Sequence, residues 1–417
     1  MRNLILSIAF ISFFLHPALP QTKKVEGNTG STGNYIIQFK GDYFTVERKD
    51  GYAVINLDGS VMSSGIKAPV VAFSRKLFID HGIYFAEEAG NVVLKDIKGK
   101  KLGVGNYKDI IPFATNNTVA RVPSEQGKWI VAYIDTTGKE IVRFDVRQYL
   151  SIVQPLNKSG AFSFVSLSDF LPFSEGLTPI KSTLTGKYGY IDQKLQLKIP
   201  AKFKEASPFS DGLAAVQNDD GNWGYINTEG KLVVPFTYSK RPSRFMSGLA
   251  RVQNTEGHIG FINKENKINI KPQYVYATCF YKGYALVREG YDRPALLIDT
   301  AGTVIATFPK DVSYIDNSKP PVGISGNEQS EYPFYVSETL QQLVDDGKGI
   351  FTKGLSYGLL DNKGKVVLDF TYQYLSDFHG GKMFAHKSAF INNSTQNRYG
   401  IINDKGEWVI EIVKAEF

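Results

Sequence analysis

Five histidines, one cysteine and a series of regularly spaced Asp and Asn residues are the side chains of this 417-residue sequence that could bind a metal or move a proton. His16, His81, His258, His379 and His386 show neither H-x-x-x-H nor H-E-x-x-H spacing, so no helical turn brings two imidazoles onto one ion. His379 and His386 flank a strand-like stretch and read as surface residues. Cys279 is alone, which removes an intramolecular disulfide or a Cys-based metal site, and within ATCFYKGYALV it reads as a small buried hydrophobe. There is no G-x-S-x-G elbow and no P-loop, and the glycines of Lys98–Gly105 follow no phosphate-loop pattern. A calcium loop needs acids at alternate positions; Asn218-Asp-Asp-Gly221 comes nearest and occurs once. The expectation is therefore a chain with no catalytic, cofactor or metal residues.

The regularly spaced Asp and Asn residues fit another purpose. Asn56, Asp96, Asp135, Asp192, Asn227, Asn263, Asp299, Asp361 and Asn403 each open an Asp/Asn-x-x-Gly turn or a variant of it. Gly59, Gly99, Gly138, Gly230, Gly302, Gly364 and Gly406 close seven of the turns, Asn266 and Leu195 the other two. An Asp or Asn at the first position accepts a bond from a following amide, and the fourth residue must turn left-handed to close a three-residue hairpin loop. Glycine does this without steric cost and Asn tolerates it, whereas Leu195 predicts a strained or differently built turn.

The elements that hold these turns are strands. Two residues precede each Asp or Asn: Val54-Ile55, Leu94-Lys95, Tyr133-Ile134, Tyr190-Ile191, Tyr225-Ile226, Phe261-Ile262, Leu297-Ile298, Leu359-Leu360 and Ile401-Ile402. Neighbouring side chains on a strand point to opposite faces, so two apolar residues in succession predict a strand covered on both sides. Lys95 is the exception. Upstream recurs a second piece, FSEGLTPI (173–180), FSDGLAAV (209–216), FMSGLARV (245–252) and FYKGYALV (280–287), with a worn copy at Phe378–Gly381. Downstream comes a third short strand bearing Pro200, Pro235 or Pro272, each expected to end the strand or sit at an edge.

One unit thus reads strand, loop, strand, tight turn, strand, and Gly189, Gly224, Gly260 and Leu296 repeat it at intervals of 35, 36 and 36 residues. Such a unit cannot bury both faces by itself; stacked copies can. The predicted fold is all-β: about nine tandem three-stranded antiparallel β-meanders over residues 35–417, stacked face to face as a propeller-like ring or an open superhelical array. Nine units exceed the usual four to eight blades, which favours an open or incompletely closed array. The period breaks near 145–172 and 306–350, and the second break holds Tyr314, Tyr332, Phe334 and Tyr335, then a short helix from Ser337 to near Gly347. These four aromatic residues are the candidate binding residues.

Residues 1–21 carry Arg2 and the apolar run Leu4–Leu15, the pattern of a signal peptide cleaved near Ala18–Gln21. Residues 22–34, rich in Gly, Ser, Thr and Lys, read as a flexible linker. The mature chain is expected to be secreted, periplasmic or associated with the cell envelope, with no integral membrane span. The formal charge of +7 is scattered, with no basic run longer than a Lys pair, so anionic envelope polymers are more sensible partners than nucleic acid.

Trp223-Gly224-Tyr225-Ile-Asn227 resembles the signature of the WG-repeat family, bacterial tandem repeats named for the Trp-Gly pair. Tyr188-Gly189-Tyr-Ile-Asp192, Tyr357-Gly358 with Asp361, and Tyr399-Gly400 with Asn403 are variants with Tyr for Trp, and the unit with Gly260 and Asn263 keeps only the Gly. The resemblance is clear over 173–305 and 354–411 and faint over 35–144. It implies a bacterial, non-catalytic binding or scaffolding module and carries no ligand. The leading expectation is a partner that is a protein or an envelope polysaccharide. The alternatives are a hydrolase with its site formed by the two insertions, and a purely structural spacer.

Overall fold

In the computed structural model the described residues are 22–27, 39–145, 171–314 and 337–414, except 41, 70–76, 78, 81, 112, 114–115, 124–129, 183–184 and 393. Within them nine small antiparallel sheets follow one another along the chain as a nine-bladed β-propeller. Blades 1 to 9 span 39–66, 79–107, 109–145, 171–203, 205–238, 241–274, 276–307, 313–372 and 374–414.

Blade 5 shows the unit. Strand A is Glu205–Ala206, continued to a bridge between Ser210 and Leu213; B is Leu213–Gln217, C is Trp223–Asn227 and D is Leu232–Tyr238. The expected three-stranded meander stands in blades 4 and 6, each with an added isolated bridge, and the other blades gain a strand A. The recurring F-x-x-G piece is itself a hairpin joining A to B, and its glycine lies in the turn.

The adjacent apolar residues on strand C divide between the two neighbouring blades. Tyr225 packs with Phe245, Ala250 and Val252 of blade 6, while Ile226 packs with Tyr190, Phe209 and Val216 on the blade 4 side. Phe261 faces Phe280 and Val287 of blade 7, and Ile262 returns to the Tyr225 cluster. Tyr190, Tyr225 and Phe261 are at most 1% exposed. The phenols of Tyr133, Tyr190 and Tyr225 add a directed bond, donating to the carbonyls of Leu171, Ser207 and Ser243 on strand A of the next blade. Lys95 meets Glu88 instead.

The same packing joins the last blade to the first. Ile401 and Phe384 of blade 9 share a cluster with Phe44, Val46 and Ile55 of blade 1, and Val25 fills it from the N-terminal side. Residues Lys23–Gly27 run parallel to Trp408–Lys414 as a fifth strand of blade 9, and Thr22 Oγ1 donates to the Trp408 carbonyl at 3.0 Å. The ring is closed, which corrects the preference for an open array. The strand also lies inside the stretch expected to be a linker; polar side chains did not prevent it, because backbone pairing, Val25 and side-chain bonds from Thr22 and Lys23 hold it.

The tight turns form as expected. Gly230 N–H donates to the Asn227 carbonyl at 2.8 Å, and Asn227 Oδ1 accepts from the amides of Glu229 and Lys231. Leu195 and Asn266 adopt left-handed φ of 61° and 60° in turns built the same way. Leu195 offsets that strain by burying its side chain with Tyr133 and Phe144 of blade 3, and Asn266 by accepting from Tyr238 OH at 2.6 Å.

The glycine of the Trp-Gly pair answers to close approach. A Cβ on Gly224 would lie 2.5 Å from the Val234 carbonyl oxygen, and one on Gly189 2.5 Å from that of Ile199. Opposite these glycines strand D bulges: three residues of C, Trp223 to Tyr225, face five of D, Val234 to Tyr238. Pro235 occupies the bulge, so the prolines at 200, 235 and 272 lie within D strands at the sheet edge and do not end them.

Two measurements follow. Gly224→Ala forces backbone apart and is expected to cost about 2 kcal/mol or more in urea unfolding. Gly212→Ala, with nothing within 4 Å of the added Cβ but φ of +84°, meets only the left-handed penalty of roughly 1 kcal/mol. Burial raises Tyr133, Tyr190 and Tyr225 well above the ordinary 10.0 and Tyr107 to about 12. The unfolded chain releases these protons first, so their contribution is complete below pH 10 and falls as pH rises beyond it. Phenolate absorbance of the buried group is expected to appear only together with loss of β-sheet circular dichroism.

Candidate binding surface at the inner rim

In a propeller the blades surround a central axis, and side-chain bonds join the A–B hairpins of consecutive blades here. Ser174 Oγ donates to the Phe209 carbonyl and Ser210 Oγ to that of Phe245, both at 2.7 Å. The turns that follow continue the belt: Glu175 accepts from Gly212 N–H, Asp211 from Gly248 N–H at 2.8 Å, and Ser247 Oγ from Gly283 N–H at 3.0 Å. Glu175, Asp211, Ser247 and Lys282 hold positive φ between 46° and 54°, and the glycine after each lies between 78° and 89°. Two left-handed residues in succession define the type I′ hairpin. The sequence contains that signal in Glu175-Gly176 and Asp211-Gly212, and it is the feature that reading the F-x-x-G piece as a strand start overlooked. D strands, by contrast, turn Leu232, Ile268 and Val304 to solvent.

Blade 8 keeps the belt by different means. Its A strand is only Ser313–Tyr314, and the helix Glu338–Asp345 takes over the rest of its path. The helix begins and ends where the sequence predicts. Ser337 caps it, Glu338 sits in the first turn, Leu340 and Leu343 bury one face, and Gly347 turns left-handed at φ of 70° beyond it. Thr339 Oγ1 donates to the Ile350 carbonyl at 2.8 Å, and Gln342 Oε1 accepts from Ile350 N–H at 3.0 Å. Side chains thus satisfy the strand B groups that Ser207 satisfies on Ala215 in blade 5. At the C-terminal end Asp345 accepts from Tyr281 OH and Lys282 Nζ of blade 7, and Asp346 from Gly380 N–H of blade 9.

Those two carboxylates, with His379 Nδ1 3.6 Å from Asp346, are the convergence of acids and imidazole nearest the second insertion. Both acids hold inter-blade bonds, and the His379 side chain is 63% exposed. A second contact places Ser388 Oγ 3.2 Å from His386 Nε2, a nitrogen that Asn397 Oδ1 approaches at 3.3 Å. Among the described residues no group of three or more His, Cys, Asp or Glu could hold a metal. Asn218 of the Asn-Asp-Asp-Gly stretch caps its own hairpin, accepting from Asn222 N–H at 2.9 Å.

On the edge of the rim where D leads into the next A, the residues are basic and aromatic. Arg241, over the Trp223 ring at 5.2 Å, is open to solvent, and desolvation lowers its pKa despite Glu205 nearby. Arg251 donates from strand B to the Ala277 carbonyl on strand A of the following blade, and Arg288 to that of Val312, just before strand A of blade 8. The short A strands of blades 7, 8 and 9 each present a tyrosine: Tyr276, Tyr314 and Tyr374. Tyr276 and Tyr314 rings meet edge to face at 5.3 Å, and Tyr374 is 42% exposed.

Of the aromatic residues singled out in the second insertion, Tyr314 lies on this rim, and Tyr332, Phe334 and Tyr335 lie outside the described residues, as does 146–170 of the first insertion. Trp223, Tyr188 and Tyr225 serve blade packing. The arginines escaped the sequence reading because Arg241, Arg251 and Arg288 come from different units and share no local motif.

Replacing Gln342 by Leu strands the buried Ile350 amide and is expected to cost about 1–3 kcal/mol in urea unfolding. Gln342→Glu, which keeps the acceptor, is expected to lose less only at acid pH, where its carboxyl is protonated and does not face the Glu338 charge. Equal losses there would contradict the role of the helix as a substitute strand.

The WG containing repeat family model matches residues 188–221, 223–256, 259–291 and 357–385. The first three matches start at strand C of one blade and reach into strand B of the next, so the repeat as written in sequence straddles the blade boundary. No curated protein matches the sequence. Solved structures with loose similarity include BamB from Moraxella catarrhalis, at 9% identity over 65% of this chain and 86% of that chain with TM-score 0.31. Hsv2 from Kluyveromyces lactis matches at 8% identity over 69% and 96%, TM-score 0.33. PorZ from Porphyromonas gingivalis, a surface component of the type-IX secretion system, matches at 9% identity over 87% and 57%, TM-score 0.20. The chain thus carries the WG containing repeat in four segments, in agreement with the resemblance read from Trp223-Gly224 and its variants.

Proposed function

We propose that this protein is an exported, non-catalytic propeller that binds or scaffolds a protein or polysaccharide of the cell envelope through the inner rim of blades 5–9. The observation that carries this reading is the division of polar groups there. The carboxylates Glu175, Asp211, Asp345 and Asp346 are engaged in bonds between blades, while Tyr374 and Arg241 remain open to solvent. Such a rim displays donors and aromatic surface on a rigid frame, which suits recognition. Export rests on residues 1–21, which lie outside the described residues. Among the described residues no helix is long and apolar enough to cross a membrane.

The reading is tested by immobilising residues 22–417 and screening envelope polysaccharides and envelope proteins for saturable binding. At least one component is expected to bind, and Arg241→Ala with Tyr374→Ala to weaken it about tenfold or more without changing the melting temperature. Absence of any saturable binder, or binding indifferent to both substitutions, contradicts the assignment. N-terminal sequencing of the exported protein is expected to start near residues 19–22; an intact Met1 would contradict export by cleavage.

A further inference from the structure

Among the described residues the three most exposed large apolar side chains are Leu355 at 95%, Tyr291 at 89% and Phe390 at 75%. Each lies where strand B passes to strand C, Tyr291 in blade 7, Leu355 in blade 8 and Phe390 in blade 9. Corresponding connections of a propeller open on the same side of the ring, so the three project from one face on successive blades. The B–C connections of blades 1, 2, 5 and 6 read Arg48-Lys-Asp-Gly51, Glu88-Ala-Gly-Asn91, Asn218-Asp-Asp-Gly-Asn222 and Asn254-Thr-Glu-Gly-His258. Each of those has an acid and no large apolar side chain.

The backbone holds these tips outward. Gly354 and Leu355 form a two-residue turn closed by the pair Lys353 and Ser356, with Gly354 at the left-handed φ of 58° that such a turn requires. In blade 5 the B–C pairing ends at Gln217 and Trp223, whose counterparts in blade 9 are His386 and Tyr399. There the two strands run on for five more pairs, from Lys387 with Arg398 to Ile391 with Ser394. The arm so formed is about 16 Å long at the rise of a strand. Its residues 394–398 are all exposed, and a two-stranded ribbon with so little burial is marginal alone in water.

Basic residues sit behind the tips. Lys353 precedes the turn of blade 8, and Lys387 lies three pairs below Phe390, over the Tyr372 ring at 4.9 Å. The acids facing this region are Asp311, 2.6 Å from Lys353, and Glu411, which neutralises Arg398 at 3.1 Å. The loop of blade 7 balances Glu289 and Asp292 with Arg288 and Arg293, while 348–360 and 382–403 contain no Asp or Glu.

We propose that the B–C tips of blades 7–9 dock this protein on an anionic lipid surface, with Tyr291, Leu355 and Phe390 entering the interface and Lys353 and Lys387 meeting headgroup phosphates behind them. This goes beyond the rim reading and uses none of its side chains. Apolar tips backed by cations follow the order of a bilayer, acyl chains beneath charged headgroups, and aromatic rings suit that boundary. A protein interface has a continuous apolar core, whereas tips on separate connections each enter a fluid surface independently. The formal charge of +7 draws the chain to such a surface.

The test uses residues 22–417 and vesicles of phosphatidylcholine with or without about 30% phosphatidylglycerol. Flotation is expected to carry the protein with the anionic vesicles, and less of it with neutral ones or at high salt. Tyr291→Ser, Leu355→Ser and Phe390→Ser made together are expected to weaken binding about tenfold or more with the melting temperature unchanged, since all three side chains are exposed in the free protein. Lys387→Glu is expected to weaken binding to anionic vesicles only. Leu355→Trp reads insertion directly: its added emission is expected to shift to the blue on anionic vesicles and to be quenched by brominated acyl chains.

Absence of flotation with either vesicle overturns the inference. Flotation indifferent to the triple substitution, or no blue shift from Leu355→Trp on vesicles that carry the protein, also overturns it. These outcomes leave the rim reading standing, because the envelope screen with Arg241→Ala and Tyr374→Ala uses no lipid.

Discussion

The structure depends on a pair of neighbouring side chains on the third strand of each blade, one packed against the blade behind and the other against the blade ahead. Tyr225 and Ile226 illustrate it: the two are adjacent in sequence, and each is at most 1% exposed. A four-stranded sheet of some 35 residues has little core of its own, so the hydrophobic contribution of each unit is realised only when both neighbours are present. Among the described residues there are nine clusters of buried side chains, one at each interface between blades. None of them is a blade interior. Stability in this molecule belongs to interfaces.

An arrangement of that kind has no tolerance for a bare end, and ring closure removes both ends at once. The strand Lys23–Gly27 pairs with Trp408–Lys414, so the start of the described chain is tied to its far end. The belt of turn side chains accepting amides from the next blade works in the same direction, fixing the relative height of neighbouring blades where apolar packing alone would allow sliding. Blade 8 shows how strongly this is retained. Interrupted by a long insertion, it recovers the missing half of its first strand from Thr339 and Gln342 and the belt from Asp345 and Asp346. The insertion reorganises the rim without breaking the ring.

Much of this was legible in the sequence because it is local. The Tyr-Ile pairs gave two-sided burial, the Asp/Asn-x-x-Gly spacing gave the turns, and Ser337 with Gly347 gave the helix limits. Closure was not legible, because it rests on a pairing between residues nearly the whole chain apart, among which only Val25 supplies an apolar side chain on the N-terminal strand. The first strand of each blade was missed because most of its length is held by isolated bonds from Ser207, Ser210 and their equivalents, with no alternating pattern. The basic rim was illegible for the same reason as closure: Arg251 reaches Ala277 and Arg288 reaches Val312 only once the blades are stacked. Tyr314 could be singled out from its place in a break of the period; its cationic neighbours could not.

The proposed binding role depends on the ring being whole. Hydrogen–deuterium exchange resolved to the third strands tests this most directly. A closed ring predicts that the amides of Val54–Ile55 in blade 1 and Ile401–Ile402 in blade 9 exchange as slowly as those of Tyr225–Ile226 in blade 5. Fast exchange confined to blades 1 and 9, with protection rising toward the middle of the chain, would mean an open stack and would contradict the account.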